Sequence, residues 1–322
     1  MHLGIEHRFA FAYDGFISES FLELRLQPKS TPQQTVHAFV LSVGPPARVR
    51  RYSDWNDNIT HHFSVTKFHD RIEVASDSRV ETHPHAVGLG ALDDPVPARE
   101  LPYPLLDFLD FGGPVLLTPS LRALHRAVGV DARAPLGEQV HAFGRHLKAR
   151  FEYQKDVTRF DSTTEDFLAI GAGVCQDFAH AMLGLLRLSR IPCRYVSGYL
   201  HVERARAEPS QSHAWVELWS PSSGWIAFDP THDREIDGRY VVVGHGRHYD
   251  DVPPNKGIYR GDAKETLKAE VHTRSVAAAT APQFHEEIRP IDLKVYPEAQ
   301  VRRADGVVVP ADDIQAQQQQ QQ

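Results

Sequence analysis

The chain has 322 residues, 41% of them hydrophobic and 24% charged, so it can bury substantial cores and is expected to form two domains. A net charge of −7 with an isoelectric point near 6.2 argues against nucleic acid as the main partner, because phosphate binding needs a clustered basic surface, and Arg48, Arg50 and Arg51 form only a short, solvated run. There is no apolar stretch of the roughly 18 residues a membrane helix requires, and Met1–Gly4 leads straight into a strand-like pattern instead of an export signal. The expected compartment is therefore the cytoplasm, where both cysteines remain thiols.

Residues 1–85 read as an all-β domain. Strand-like patterns run over Glu6–Tyr13, Phe21–Gln27, Val36–Val43, His62–Phe68 and Arg71–Ala75, and in the first of these His7, Phe9, Phe11 and Tyr13 share one face. Residues 86–117 are Pro-rich and irregular, which suggests a linker packed across a domain boundary. An α+β core follows over 118–275. Thr118 is placed to cap a helix with Pro119 at its first position, a second helix spans Leu136–Phe151, and Thr163-Thr164-Glu165-Asp166 opens a short capped one. From Val174 onward Phe178, Ala179, Met182, Leu183, Leu185 and Leu186 recur with helical spacing, behind a loop marked by Gly171 and Gly173. Strands at 194–201, 213–219, 225–229, 239–244 and 266–275 complete a core in which this helix packs on an antiparallel sheet. Residues 276–322 end in six glutamines and read as a largely disordered tail.

The chemistry centres on Cys175. It falls in the first turn of its helix, where unpaired N–H groups and the positive end of the dipole favour a thiolate and can also receive an oxyanion. A lone intracellular cysteine is more often a buried structural residue, so its partners must decide. Ser212–Trp219 and Gly224–Asp229 flank Ser220-Pro221-Ser222-Ser223 as a β-hairpin. Symmetric folding about Pro221 sets His213 directly opposite Asp229, on one face and with Cβ atoms about 4.5–5.5 Å apart. A carboxylate that accepts one ring N–H fixes the imidazole tautomer and frees the other nitrogen to serve the thiol.

These residues carry a resemblance. Gly173–His180 (Gly-Val-Cys-Gln-Asp-Phe-Ala-His), Arg190–Tyr199, Ser212–Glu217 and Trp225–Thr231, in the order Cys, His, Asp, resemble the bacterial branch of the transglutaminase-like superfamily. Tyr52–Asn58 resembles part of the β-domain that usually precedes that core, and Gly246–Pro254 the loop that closes it. The resemblance implies a papain-like or transglutaminase-like core behind an N-terminal all-β domain, with Cys175 as nucleophile, His213 as general base and Asp229 as its orienter. Cys193 stands where a small apolar residue is expected.

The expected reaction is acyl transfer on a protein or peptide amide through a thioester. The Cys175 N–H and either Gln176 or Tyr153 would hold the oxyanion, and Trp215 is a further substrate-contact candidate. A primary amine or water completes the cycle, so transglutaminase and cysteine peptidase or amidase stay open together, beside a scaffold that uses the core without chemistry. No cofactor is expected. Although the chain holds 19 histidines, His83/His85, His61/His62 and His245/His248 each lack a clear third ligand. His180, five residues beyond Cys175, points roughly 140° away from it and is a poor base. No Gly-x-Ser-x-Gly elbow, phosphate-binding loop or dinucleotide fingerprint is present, and the sequence leaves the oligomeric state open.

Overall fold

The computed structural model describes residues 1–83, 87–98, 100–203, 212–278, 284–298 and 301, and the backbone of 314–317. The chain divides into two compact units. One is built from Met1–Thr82 together with strands that follow Pro253, and the other from His83–Tyr199 and Ser212–Val252.

The first unit is all-β. Its N-terminal strands are β1 (His2–Ile17), β2 (Glu19–Leu24), β3 (Gln34–Gly44), β4 (Arg50–Ser53), β5 (Ile59–Val65) and β6 (His69–Thr82). Along β1 the burial alternates as the sequence demands: His7, Phe9, Phe11 and Tyr13 face inward while Arg8, Ala10 and Ala12 face water. A buried cluster joins Phe9, Phe11 and Tyr13 to Leu22, Leu24, Phe39, Leu41 and Phe63, drawn from strands of two five-stranded sheets. The arginine run lies largely in β4, where Arg50 is exposed and Arg51 pairs with Glu286 at 3.3 Å.

The second unit is α+β, with helices packed on a sheet as the sequence indicated. Its helices are α1 (Pro119–Val128), α2 (Leu136–Arg150), α3 (Thr164–Ile170) and α4 (Cys175–Leu188). Two short strands, β7 (Glu152–Tyr153) and β8 (Ala172–Gly173), pair parallel just before α4. The main sheet has the order β12-β11-β10-β9-β13, made of β9 (Cys193–Leu200), β10 (Ser212–Ser220), β11 (Gly224–Asp229), β12 (Arg234–Glu235) and β13 (Tyr240–Gly246). Phe178, Met182, Leu185 and Leu186 of α4 share one buried cluster with Val216, Leu218 and Phe228 of the sheet. The expected caps are present: the Thr118 side chain accepts from Leu121 N–H at 3.1 Å, and Thr163 with Asp166 forms a capping box. The expected linker holds two 3-10 turns, Leu89–Ala91 and Tyr103–Leu109, and Leu89 and Leu105 are buried.

The chain then returns to the first unit with β14 (Asn255–Arg260), β15 (Glu265–Ser275), β16 (His285–Pro290) and β17 (Ile314–Gln317). This corrects the sequence expectation for 266–275. Instead of completing the α+β core, β15 runs antiparallel to β1, from Leu3↔Ser275 to Tyr13↔Glu265. A strand's own pattern shows that it needs a partner but not which one, and β1 offers a long edge whose Tyr13 hydroxyl donates to Glu265 at 3.0 Å. The expected tail is also partly ordered, since β16 pairs parallel with β3 and β17 antiparallel with β14. Residues 318–322 of the glutamine run, and His85, lie outside the described residues.

Candidate active site

Gly171 ends α3 in the left-handed conformation, φ 81°, which a side chain would disfavour, and turns the chain through β8 into α4. Cys175 is the first residue of α4 and is partly exposed. Asp177, at the third helical position, reaches back so that its Oδ2 accepts from Val174 N–H at 2.8 Å and from the Thr158 hydroxyl at 2.7 Å. The first turn is thereby anchored from both sides while Cys175 and Gln176 keep N–H groups with no intrahelical acceptor. Burial pushes the Asp177 carboxyl up to about 6, against the opposing pull of these two hydrogen bonds.

His213 and Asp229 meet across the hairpin, but not in the expected register. The ladder runs Val216↔Phe228, Glu217↔Ala227, Leu218↔Ile226, Trp219↔Trp225 and Ser220↔Gly224, two residues out of step with symmetry about Pro221. The connection explains the shift. Ser223 N–H bonds Ser220 carbonyl at 3.3 Å and Gly224 sits at φ 76°, so the turn has three residues, Pro221–Ser223, closed by a left-handed glycine. A two-residue shift preserves the side-chain face. His213 and Asp229 are therefore diagonal rather than opposite, and the His213 Nε2–H still donates to Asp229 Oδ2 at 2.8 Å.

That bond leaves Nδ1 for the sulfur, and the His213 ring is hydrogen bonded to Cys175 as well. Burial by itself would drive the imidazole toward neutrality, but the hydrogen bonds and charges of Asp229 and Cys175 overcome it and hold its pKa at about 10. Asp229 is fully buried, which would favour its protonated form, yet the donors around it hold it well below the ordinary carboxylate range. Those donors exceed what the sequence revealed. Oδ2 also accepts from His232 Nδ1 at 2.7 Å and from the Tyr240 hydroxyl at 2.7 Å, while Oδ1 accepts from Thr231 N–H at 2.9 Å. Arg234 in turn donates to the Tyr240 oxygen at 3.0 and 2.9 Å. His213, Asp229 and His232 are a metal-sized group of ligands, but their donors and Tyr240 already converge on one carboxylate oxygen.

The accessory candidates fare differently. Trp215 is fully buried, with its ring edge-on to Tyr240 at 5.4 Å and 6.1 Å from the His213 ring, so it packs against the imidazole and presents no accessible surface. This corrects the sequence expectation. Trp215 shares the His213 face of β10, but that face is covered at its position. Gln176 is buried and its Nε2 donates to Phe160 carbonyl at 2.8 Å, tying down the segment before α3. Tyr153 is exposed and lies on β7 in register with Gly173, two residues before Cys175. His180 is buried and its Nε2 accepts from Tyr249 N–H at 3.2 Å, which needs a neutral ring. Cys193 is also buried, a free thiol pushed up to about 11 by desolvation.

Comparison with known proteins places both units. The family model of the transglutaminase-like superfamily matches residues 122–230, which include Cys175, His213 and Asp229, and that of the bacterial transglutaminase-like N-terminal region matches residues 3–81. An uncharacterised protein of Mycobacterium leprae is 34% identical over 283 residues, covering 85% of this chain and 98% of its own length. A protein-glutamine gamma-glutamyltransferase of Pseudomonas aeruginosa is 28% identical over 196 residues, 57% of this chain but 28% of that protein. The crystal structure of a candidate cysteine protease from Cytophaga hutchinsonii shares the fold at a TM-score of 0.73 and 21% identity, with 88% of this chain and 93% of that one covered. With both units matched and a relative aligned over nearly its whole length, the chain belongs to the transglutaminase-like superfamily, in the form that carries the bacterial N-terminal region.

Proposed function

We propose that the protein catalyses cysteine-dependent acyl transfer on amide substrates through a thioester, with Cys175 as nucleophile, His213 as base and then acid, and Asp229 as orienter. The observation that carries this reading is the imidazole of His213, bonded on one side to a buried carboxylate and on the other to a thiol at a helix N-terminus. Such a ring holds its proton up to about pH 10 and pairs as an imidazolium with the sulfur, which attacks the carbonyl carbon of the amide as a thiolate. Charge then develops on the carbonyl oxygen beside the Cys175 N–H, with Tyr153 or Gln176 as the second donor. The imidazolium gives its proton to the departing nitrogen, and the acyl group stays on sulfur until an amine or water accepts it. The compact network around Asp229 keeps the ring aligned through both halves.

The decisive experiment is trapping with an electrophilic probe followed by peptide mapping. Labelling at Cys175 that drops by about a hundredfold or more in His213→Ala supports the assignment, while equal labelling in both proteins sinks it. Incubation with a glutamine-containing peptide and a primary amine then separates the acceptors by mass: a new amide with loss of ammonia means transglutamination, and backbone cleavage or plain deamidation means hydrolysis.

A further inference from the structure

The β unit brings together three side chains that no single stretch of sequence unites. Glu81 on β6 lies directly across from His2 on β1, with His2 Nε2 4.0 Å from its Oε1. On the other flank of β6, Val36 of β3 opposes Val80 and Ala38 opposes Arg79, so His37 is the inserted residue of a β-bulge and faces none. A bulge re-aims the side chain it inserts, and here the His37 Nε2 meets Glu81 Oε2 at 3.1 Å. One donor atom from each residue lies within 4.8 Å of the other two. Their side chains are 31%, 20% and 33% exposed for His2, His37 and Glu81, so a central strand and its two neighbours hold the group while solvent still reaches it.

We propose that His2, His37 and Glu81 form a binding site for a divalent transition-metal cation of the zinc type. Two imidazole nitrogens with one carboxylate are a ligand set that zinc accepts, with water filling the remaining position. Bond lengths of about 2.0–2.2 Å in tetrahedral geometry put neighbouring ligand atoms roughly 3.3–3.5 Å apart. The observed separations, 3.1 Å from His37 to Oε2 of Glu81 and 4.0 Å from His2 to its Oε1, bracket that spacing. Calcium and magnesium prefer oxygen-only ligand sets and do not fit a site with two nitrogens. On capture the ring protons that now face Glu81 leave, and each Nε2 presents its lone pair to the cation. The metal would clip β1, β6 and β3 together. The inference is independent of the proposed reaction, because none of its residues takes part in that reaction.

The test uses the full chain without an affinity tag, titrated with zinc chloride by calorimetry and equilibrium dialysis. One equivalent is expected, bound about tenfold or more weakly in His2→Ala and in His37→Ala and unchanged in the double variant His213→Ala/His232→Ala. In the unaltered protein, zinc should also protect His2 and His37 from diethyl pyrocarbonate, mapped by peptide mass. Failure to bind zinc, binding that ignores both β-unit substitutions, or modification of His2 and His37 at the same rate with and without zinc would each overturn the proposal.

Discussion

Asp229 accepts more hydrogen bonds than the orientation of one imidazole requires, and the surplus has a measurable effect. With His213, His232 and Tyr240 all donating to Oδ2, the carboxylate stays ionised although fully buried, and the His213 ring stays protonated to about pH 10. Because the folded value of His213 lies above its unfolded value of about 6.5, the ring contributes stability that is whole below that pH and is lost as pH rises through 10. Asp229→Asn should drop the His213 titration toward the ordinary range, read by histidine NMR, and the stability gap between the two proteins should close as pH climbs from 6.5 to above 10; an unmoved titration refutes it. The two thiols should differ as sharply: at pH 8 iodoacetamide should label Cys175 and spare buried Cys193, and equal labelling in the native protein would contradict the structure. At this scale the sequence disclosed Cys175, His213 and Asp229, because each sits in a short distinctive pattern. It hid His232 and Tyr240, whose contacts exist only once the turn after Pro230 and the neighbouring strand are in place. Asp229 also serves the turn that follows it: Oδ1 accepts from Thr231 N–H while Oδ2 receives the imidazole.

At the scale of elements, α4 depends on an acid that takes no part in the chemistry. Asp177→Ala leaves the Val174 N–H and the Thr158 hydroxyl without their acceptor inside the protein, at a cost of about 1–3 kcal/mol. Since Asp177 titrates at about 6 when folded, above its unfolded value, folding takes up a proton in mildly acid solution. The wild-type advantage over Asp177→Ala should therefore widen as pH falls from 7 toward 4, in urea melts; a constant or shrinking gap would contradict this. Helix boundaries were legible in the sequence because caps are local: Thr118, Thr163 and Gly171 each act within a turn of their own position. The hairpin register was legible only in its parity, because the face of a strand follows from alternation whereas the offset depends on whether Gly224 belongs to the turn. Gly224→Ala should cost about 1 kcal/mol in thermal unfolding, the penalty for a side chain in the left-handed region.

Over the whole molecule, the β unit is assembled from both ends of the described chain. β14 pairs with β2, β15 with β1 and β16 with β3, so a protein truncated after Val252 should present three unpaired strand edges and appear as aggregate in size-exclusion chromatography; a monodisperse truncation product would refute this. Local sequence could not show this closure, since β15 alternates like any surface strand and its partner lies about 260 residues away. The same nesting sets an order of events during synthesis. The first 82 residues emerge from the ribosome with neither β14 nor β15 yet made, while the α+β unit, whose last strand ends at Gly246, gains all its secondary structure earlier. The half-built sheets must wait through some 170 residues of further translation, with β4, which carries arginine at two of its four positions, charging one border of its sheet while the opposite border at β2 stays open until β14 arrives.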